Sequence, residues 1–237
     1  PSFTSRHDTE FTGYDFEISY IESHQDIIAE EEKAIRYVLE KIKKEFGKEI
    51  LEFYGRDLIV PALHFPQVTM KQAKEILAKL KIKSEKSGDL SPEEERKLSE
   101  HIKEKEGHEF VFVTEYPVEA RPFYHMRLED NPKLTKSFDL LWGGLEITTG
   151  AQREHRYDIL ISQAKEKGFR YVYLTTNGNL LNEEKIKKIF ESGLDSIKFS
   201  IDGTSKESYE KIRIGGNIEV IYNNIKMLRE MRDKLKS

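Results

Sequence analysis

The amino-acid sequence predicts a mixed α/β protein of the α+β type, in which an antiparallel sheet with flanking helices precedes a short βαβα segment. Between residues 109 and 149, strand-like runs follow one another without an intervening helix, which is typical of antiparallel strands. After residue 169, strand-like and helix-like runs alternate, which is typical of a parallel sheet. Thirteen Phe and eleven Tyr are enough aromatic residues to build a folded core.

The chain opens with a predicted strand and a long predicted helix. Residues 11–22 alternate in the manner of a strand, and residues 25–46 carry apolar side chains at helical spacing. Residues 48–69 contain Pro and Gly among short apolar runs and give no clear prediction.

Two further helices are expected before the sheet. The first covers residues 70–81. The second runs from Ser91 to about Glu106, with Ser91 as N-cap, Pro92 in the first turn and Glu94 closing a capping box.

The predicted sheet consists of strands at 109–115 and 122–128 and a hairpin at 135–149. Gly143 and Gly144 lie at the centre of the hairpin and suit a tight turn. A helix over 153–167 follows. The C-terminal segment then alternates strand 170–175, helix 183–192, strand 196–201 and helix 217–235, which amounts to two βα units.

Composition excludes several classes of function. The formal net charge is −4, so no overall positive field directs the chain to nucleic acid or to an anionic membrane. With no cysteine, disulfides, zinc–thiolate sites and iron–sulfur ligation are excluded. No signal peptide and no apolar run long enough to span a bilayer is found, so we expect a soluble cytoplasmic protein. Because the chain starts without an initiator Met, we expect a fragment.

Polar residues around the hairpin form the first candidate site. Asp139 and Glu146 lie on its two arms and could together bind Mg²⁺ carrying nucleotide phosphates. Thr149 would add a hydroxyl, and Arg153 could grip a carboxylate with two parallel hydrogen bonds. From residue types alone, the alternative is a solvated strand face followed by an exposed row of ion pairs on a helix.

Near the N-terminus, Arg6 and His7 precede the first predicted strand. They could touch a phosphate or a base. The alternative is an ordinary surface pair.

Longer strings are more specific than these residue types. TSRHDTEFTGYDFEISYIE, PFYHMRL and KSFDLLWGGLEITTGAQREHRYDIL, in this order, resemble the catalytic domain of archaeal-type aspartyl-tRNA synthetases over about residues 1–168. The resemblance implies a class II synthetase antiparallel sheet with flanking helices. It also implies ATP and Mg²⁺ as cofactors, and aspartate and tRNA as partners in an ATP-dependent ligation.

By that resemblance, Glu146 would bind Mg²⁺ and ATP with help from Asp139, and Thr149 would address both magnesium and the substrate. Arg153 would pair with the side-chain carboxylate of aspartate. Arg6 and His7 would lie in the motif 2 loop over ATP and the acceptor end of the tRNA. The motif 2 arginine, motif 3, the dimer-forming motif and the N-terminal domain of the family are not found in the sequence, so we expect impaired catalysis and make no prediction of dimerisation.

The second candidate site lies after residue 169, where Asn177 and Ser200 follow the two predicted strands. Ordinary turn chemistry is one interpretation, since Asn-Gly and Asp-Gly often end strands. The string YLTTNGNLLNEEKIKKIFESGLDSIKFSIDGTSKESYEKIRIGGN also resembles radical-SAM enzymes, which implies a partial (β/α) barrel over 169–237. Asn177, Ser200 and Arg213 would then line a vestigial S-adenosylmethionine pocket.

Radical-SAM activity is nevertheless rejected, because the family's CxxxCxxC loop is missing and no cysteine can hold an iron–sulfur cluster. We therefore hypothesise that the chain joins two enzyme fragments at about residues 168 and 169. Three interpretations are open: an impaired aspartate–tRNA ligase, a non-catalytic synthetase-derived binding module, or a chimeric product without function.

Overall fold

The computed structural model describes residues 9–84 and 86–235, and the chain forms two compact units. The division falls between His155 and Arg156, inside the range 153–167 that we predicted as one helix. The predicted boundary after residue 168 rested on the two resemblances and stays a prediction. No helix within the described ranges is long and apolar enough to cross a membrane.

The first unit is built on a four-stranded sheet. Its elements, in chain order, are α1 (His24–Tyr54), β1 (Gln67–Thr69), α2 (Met70–Lys79), α3 (Pro92–Glu106), β2 (Phe110–Thr114), β3 (Ser137–Trp142) and β4 (Leu145–Ala151). The strands lie in the order β1-β2-β3-β4, and only the β1–β2 pair is parallel. The prediction of an antiparallel sheet with flanking helices is therefore confirmed for β2, β3 and β4, whereas the parallel strand β1 was not predicted.

Local signals explain where the helices begin and end. The Ser91 hydroxyl accepts from the amide of Glu94, and the Glu94 carboxylate accepts from the amide of Ser91, which confirms the predicted capping box. Helix α1 begins after the N-cap Ser23 and continues past its predicted end to Gly55, which has a φ of 65°. It passes through Gly47, because one interior glycine costs only about 1 kcal/mol relative to alanine.

The sheet lies between two helical layers because alternate side chains of each strand point to opposite faces. Phe110 and Phe112 of β2 pack with α1, whereas Val111 and Val113 pack with α2 and α3. All five residues of β2 are buried, since both faces of this strand are covered.

Two predicted strands are wrong. Residues 11–22 form no strand and pair with no neighbouring strand within the described chain. Most of their large apolar side chains are exposed, namely Phe11, Tyr14, Phe16, Ile18 and Tyr20. An alternating pattern forms a strand only when a partner supplies its hydrogen bonds. Residues 122–128 contribute only isolated bridges, from His125 to Arg153 and from Arg127 to Thr135.

The second unit contains α4 (Tyr157–Glu166), β5 (Tyr173–Thr176), α5 (Glu183–Glu191), β6 (Ser196–Phe199), α6 (Lys206–Ile212) and α7 (Ile218–Leu235). Strands β5 and β6 pair in parallel, as their alternation with helices predicts. Helix α6, which was not predicted, begins after the N-cap Ser205 and buries Tyr209 against Ile218 and Ile221 of α7. The described part of this unit has two strands, so the predicted barrel fragment is not shown.

Candidate functional site

The β3–β4 hairpin brings three of the predicted residues onto one face of the sheet. Asp139 lies directly opposite Thr149 in the antiparallel register. A register shift after Leu140 leaves Glu146 opposite Leu141, so the bulge turns Glu146 to the face that Asp139 and Thr149 share. Gly143 and Gly144 form the turn with φ values of 57° and 85°, and a side chain on Gly144 would meet the backbone of Arg96 at 2.6 Å.

Asp139 is buried and held by Arg121, a residue that the sequence analysis did not single out. The Nη2 of Arg121 donates to Oδ2 of Asp139 at 2.5 Å, and its Nη1 donates to Oγ1 of Thr149 at 3.3 Å. The guanidinium carbon lies 3.6 Å from the centre of the Tyr116 ring. No local pattern could have revealed this contact, because Arg121 and Asp139 are 18 residues apart.

The other oxygen of Asp139, Oδ1, is buried without a hydrogen-bond partner among the described residues. A buried carboxylate oxygen of this kind calls for a ligand, since leaving it unsatisfied is costly. The described residues contain no group of three or more His, Asp or Glu that could hold a metal ion alone. Mg²⁺, however, is commonly held by one or two carboxylates together with substrate phosphates. Asp139, Glu146 and Thr149 fit that arrangement.

Burial, and after it the neighbouring charges, shifts the pKa values of three side chains around the site. Partial desolvation, with the nearby Asp139 carboxylate, raises the pKa of Glu146 to about 7. Burial, with the nearby Arg121 cation, lowers the pKa of His125 to about 4, so this imidazole is neutral at pH 7. Burial, with the neighbouring Asp139 carboxylate, also raises the pKa of Tyr116, which keeps its hydroxyl protonated beside that carboxylate.

On the opposite face of β4, Thr148 donates to the carboxylate of Glu31 in α1. Burial is the main cause of the raised pKa of Glu31. This contact was also missed, because its partners are 117 residues apart in the chain.

Arg153 does not lie on a helix, contrary to the predicted range 153–167, because α4 begins only at Tyr157. It continues the line of β4 and forms a bridge to His125. Its guanidinium forms an ion pair with Glu17, and both side chains are 65% exposed. The guanidinium also lies 5.7 Å from the centre of the Tyr124 ring. An arginine in this position is open to a ligand.

Arg6 and His7 lie outside the described residues, so their predicted position over ATP stays a prediction.

The residues of the second candidate site make local contacts. The Asn177 side chain accepts from the amide of Asn179 at 3.1 Å, and the amide of Ser200 donates to the carbonyl of Thr176 at 2.9 Å. Arg213 forms an exposed ion pair with Asp202. Ordinary turn chemistry accounts for these contacts, and the vestigial S-adenosylmethionine pocket stays a prediction.

The β3–β4 candidate site does not coincide with the cavity at the end of α1. A cavity of about 900 Å³ lies between the end of α1 and the β3–β4 turn, where Tyr54 and Trp142 are among its lining residues. It contains none of Asp139, Glu146, Thr149 or Arg153. The site is therefore defined by its groups and their register rather than by a deep pocket.

The first unit thus has an antiparallel-dominated sheet between helices, with Asp139 and Glu146 on the β3–β4 hairpin and Arg153 just after β4. The family described as "tRNA synthetases class II (D, K and N)" matches residues 2–205. The chain belongs to this family.

Within the family, an aspartyl-tRNA synthetase-like domain covers about 70% of the chain. The chain is 42% identical over 170 residues to the Aspartate--tRNA(Asp/Asn) ligase of Aeropyrum pernix, covering 71% of this chain and 38% of that protein. It is 41% identical over 167 residues to the Aspartate--tRNA(Asp) ligase of Pyrococcus abyssi, covering 70% of this chain and 37% of that protein. The chain thus spans less than two fifths of the length of these relatives.

Solved structures of synthetases for aspartate and asparagine are also similar to this chain. The aspartyl tRNA synthetase of Entamoeba histolytica superposes with a TM-score of 0.58 at 29% identity, covering 74% of this chain and 34% of that one. The asparaginyl-tRNA synthetase of Pyrococcus horikoshii gives 0.55 at 29% identity, covering 62% of this chain and 35% of that one. The family match continues beyond residue 168 and gives no support to a separate radical-SAM origin for residues 169–205.

Proposed function

We propose that the first unit carries the aspartate- and ATP-binding site of an aspartate–tRNA ligase, which activates aspartate with ATP and transfers it to tRNA. The observation that carries the proposal is the hairpin register. It aligns Asp139, Glu146 and Thr149 on one face, with Arg153 on the continuation of the same strand. The names of the relatives supply the amino acid and the tRNA.

Arg153 would bind the side-chain carboxylate of aspartate. Its planar guanidinium can donate two parallel hydrogen bonds to a carboxylate, which gives both affinity and orientation. Its partner Glu17 is equally exposed, and exposed ion pairs contribute about 1 kcal/mol or less, so a substrate can replace Glu17 at little cost.

Asp139 Oδ1, Glu146 and Thr149 Oγ1 would hold Mg²⁺, which when bound neutralises phosphate charge on ATP. Glu146 must lose its proton to serve, and its raised pKa makes that step pH-dependent near neutrality. The site otherwise acts by positioning the α-carboxylate of aspartate, rather than its side-chain carboxylate, for attack on the α-phosphate of ATP. Positioning and charge stabilisation of this kind can supply most of the rate enhancement of such a reaction.

The finer expectations remain part of the proposal. These are the contact of Arg6 and His7 with ATP and tRNA, and the cytoplasmic location.

The test is aspartate-dependent exchange of pyrophosphate into ATP. The chain should catalyse exchange above the Glu146→Ala variant, and exchange should require aspartate. Exchange no greater than that of the variant would refute the ligase proposal. If an ATP analogue still binds in that case, the non-catalytic binding module is favoured.

A further inference from the structure

We propose that Arg121 is a positioning residue for the cation site. It fixes the Asp139 carboxylate and the Thr149 hydroxyl in the orientation that receives a divalent metal ion. This inference rests on the proposed function, since it concerns the same site.

A single planar group joins the two strands of the hairpin at the site. Nη2 of Arg121 donates to Asp139 on β3 at 2.5 Å, and Nη1 donates to Thr149 on β4 at 3.3 Å. These two residues lie directly opposite each other in the register. The guanidinium therefore sets the rotamers of two proposed ligands at once.

The guanidinium is itself held in place. It stacks 3.6 Å from the centre of the Tyr116 ring, and the side chains of Arg121 and Asp139 are only 13% and 5% exposed. A lysine would keep the charge but has a single tetrahedral ammonium, which cannot stack flat on a ring and bond two neighbours in one plane. The Arg121→Lys substitution therefore keeps the positive charge while removing the planar hydrogen-bonding geometry of the guanidinium.

The hydrogen bonds leave acceptor positions open on both partners. Arg121 engages Oδ2 of Asp139, while Oδ1 is buried without a partner among the described residues. The Thr149 hydroxyl has two lone pairs and gives one to Arg121, so the other can face a cation. Groups that orient metal ligands in this way typically change metal affinity 10–100-fold when they are replaced.

The test is Mn²⁺ binding to the full chain saturated with a non-hydrolysable ATP analogue, monitored by electron paramagnetic resonance. Mn²⁺ takes the oxygen ligands that Mg²⁺ takes. Arg121→Lys should weaken Mn²⁺ binding about 10-fold or more at unchanged charge. Arg36→Lys is the matched control, because Arg36 pairs with Glu40 on the exposed face of α1, and its affinity should equal that of the wild type.

A second variant separates positioning from folding. Arg121→Ala opens the space of the guanidinium, and millimolar methylguanidinium should restore Mn²⁺ binding while methylammonium should not. A purely structural role would give no such selective rescue.

The outcomes are distinct. If Arg121→Lys binds Mn²⁺ within about twofold of the wild type, the positioning role is wrong while the proposed function stands. If the wild type with the ATP analogue binds no more Mn²⁺ than the free analogue does, the cation site of the proposed function fails and the positioning role falls with it.

Discussion

Lys74 of α2 and Glu94 of α3 form an ion pair beneath the surface, with Nζ 2.7 Å from Oε1 and the Glu94 side chain fully buried. Lys74 also donates to the carbonyl of Asp89, and Glu94 caps its own helix through Ser91. The pair therefore links the two helices that pack on the Val111 and Val113 face of the sheet.

Breaking this pair should destabilise the first unit strongly. Lys74→Met leaves a buried carboxylate without its cation and should lower the free energy of unfolding by about 3–5 kcal/mol, measured by urea denaturation. Lys33→Met is the control, because the Lys33–Glu30 pair is exposed, and it should cost about 0.5 kcal/mol or less. Equal losses from the two variants would contradict the account.

The same pair predicts a pH dependence. Burial acts to raise the pKa of Glu94, but hydrogen bonds from Lys74, Ser91 and Ser84 outweigh it, so the pKa lies below 4.5. A carboxyl with a lowered folded-state pKa stabilises the protein above its unfolded pKa and loses that effect as the pH falls through the folded value. In urea titrations below pH 4.5, the wild type should lose more stability than Glu94→Gln. Parallel curves for the two proteins would be inconsistent with this.

Gly150 should tolerate no side chain. A Cβ at this position would lie 2.3 Å from Cζ of Phe138, inside the core that packs on α1. Gly150→Ala should cost about 1–3 kcal/mol of stability through overpacking. Gly47→Ala is matched to it, since the nearest atom there is Lys43 Cγ at an ordinary 3.5 Å, and should stabilise α1 by about 0.5–1 kcal/mol. Thermal unfolding that ranks the variants the other way would contradict the packing described.

Glu146 should make metal binding sensitive to pH near neutrality. Its pKa is raised to about 7, so Mn²⁺ must displace a proton below that pH. Apparent affinity should rise between about pH 6 and pH 8 and then level off. Without metal, the free energy of unfolding should instead fall as the pH increases, because ionising a carboxyl whose pKa is raised in the folded state costs stability. Glu146→Gln should flatten both profiles, and a wild-type profile already flat over this range would count against the raised pKa.

Sequence patterns predicted the elements whose signals are local. The capping box at Ser91 and the glycine turn at Gly143 needed only neighbouring residues to be read. The strand at 11–22 failed because strand formation depends on a partner, and alternation carries no information about one. Among the candidate site residues, Asp139 and Glu146 lie on the two arms of the hairpin as predicted, and their role stays a prediction. Arg121 was missed because only the folded hairpin brings it to Asp139.

Glu17 should compete weakly with the substrate for Arg153. Glu17→Gln removes an exposed ion pair, so aspartate should bind at most about fivefold more tightly. Asp15→Asn, a nearby loss of charge outside this pair, serves as the control. Weaker binding by Glu17→Gln would show that Glu17 assists the substrate instead of competing with it.

Calorimetric titration of the full chain with L-aspartate, in the presence of Mg²⁺ and a non-hydrolysable ATP analogue, tests the proposed function most directly. We expect saturable binding of L-aspartate, much weaker binding of L-asparagine, and a loss of affinity of about 10-fold or more in Arg153→Lys, because lysine cannot supply two parallel bonds to a carboxylate. Equal binding of the two amino acids, or an Arg153→Lys variant as tight as the wild type, would contradict it.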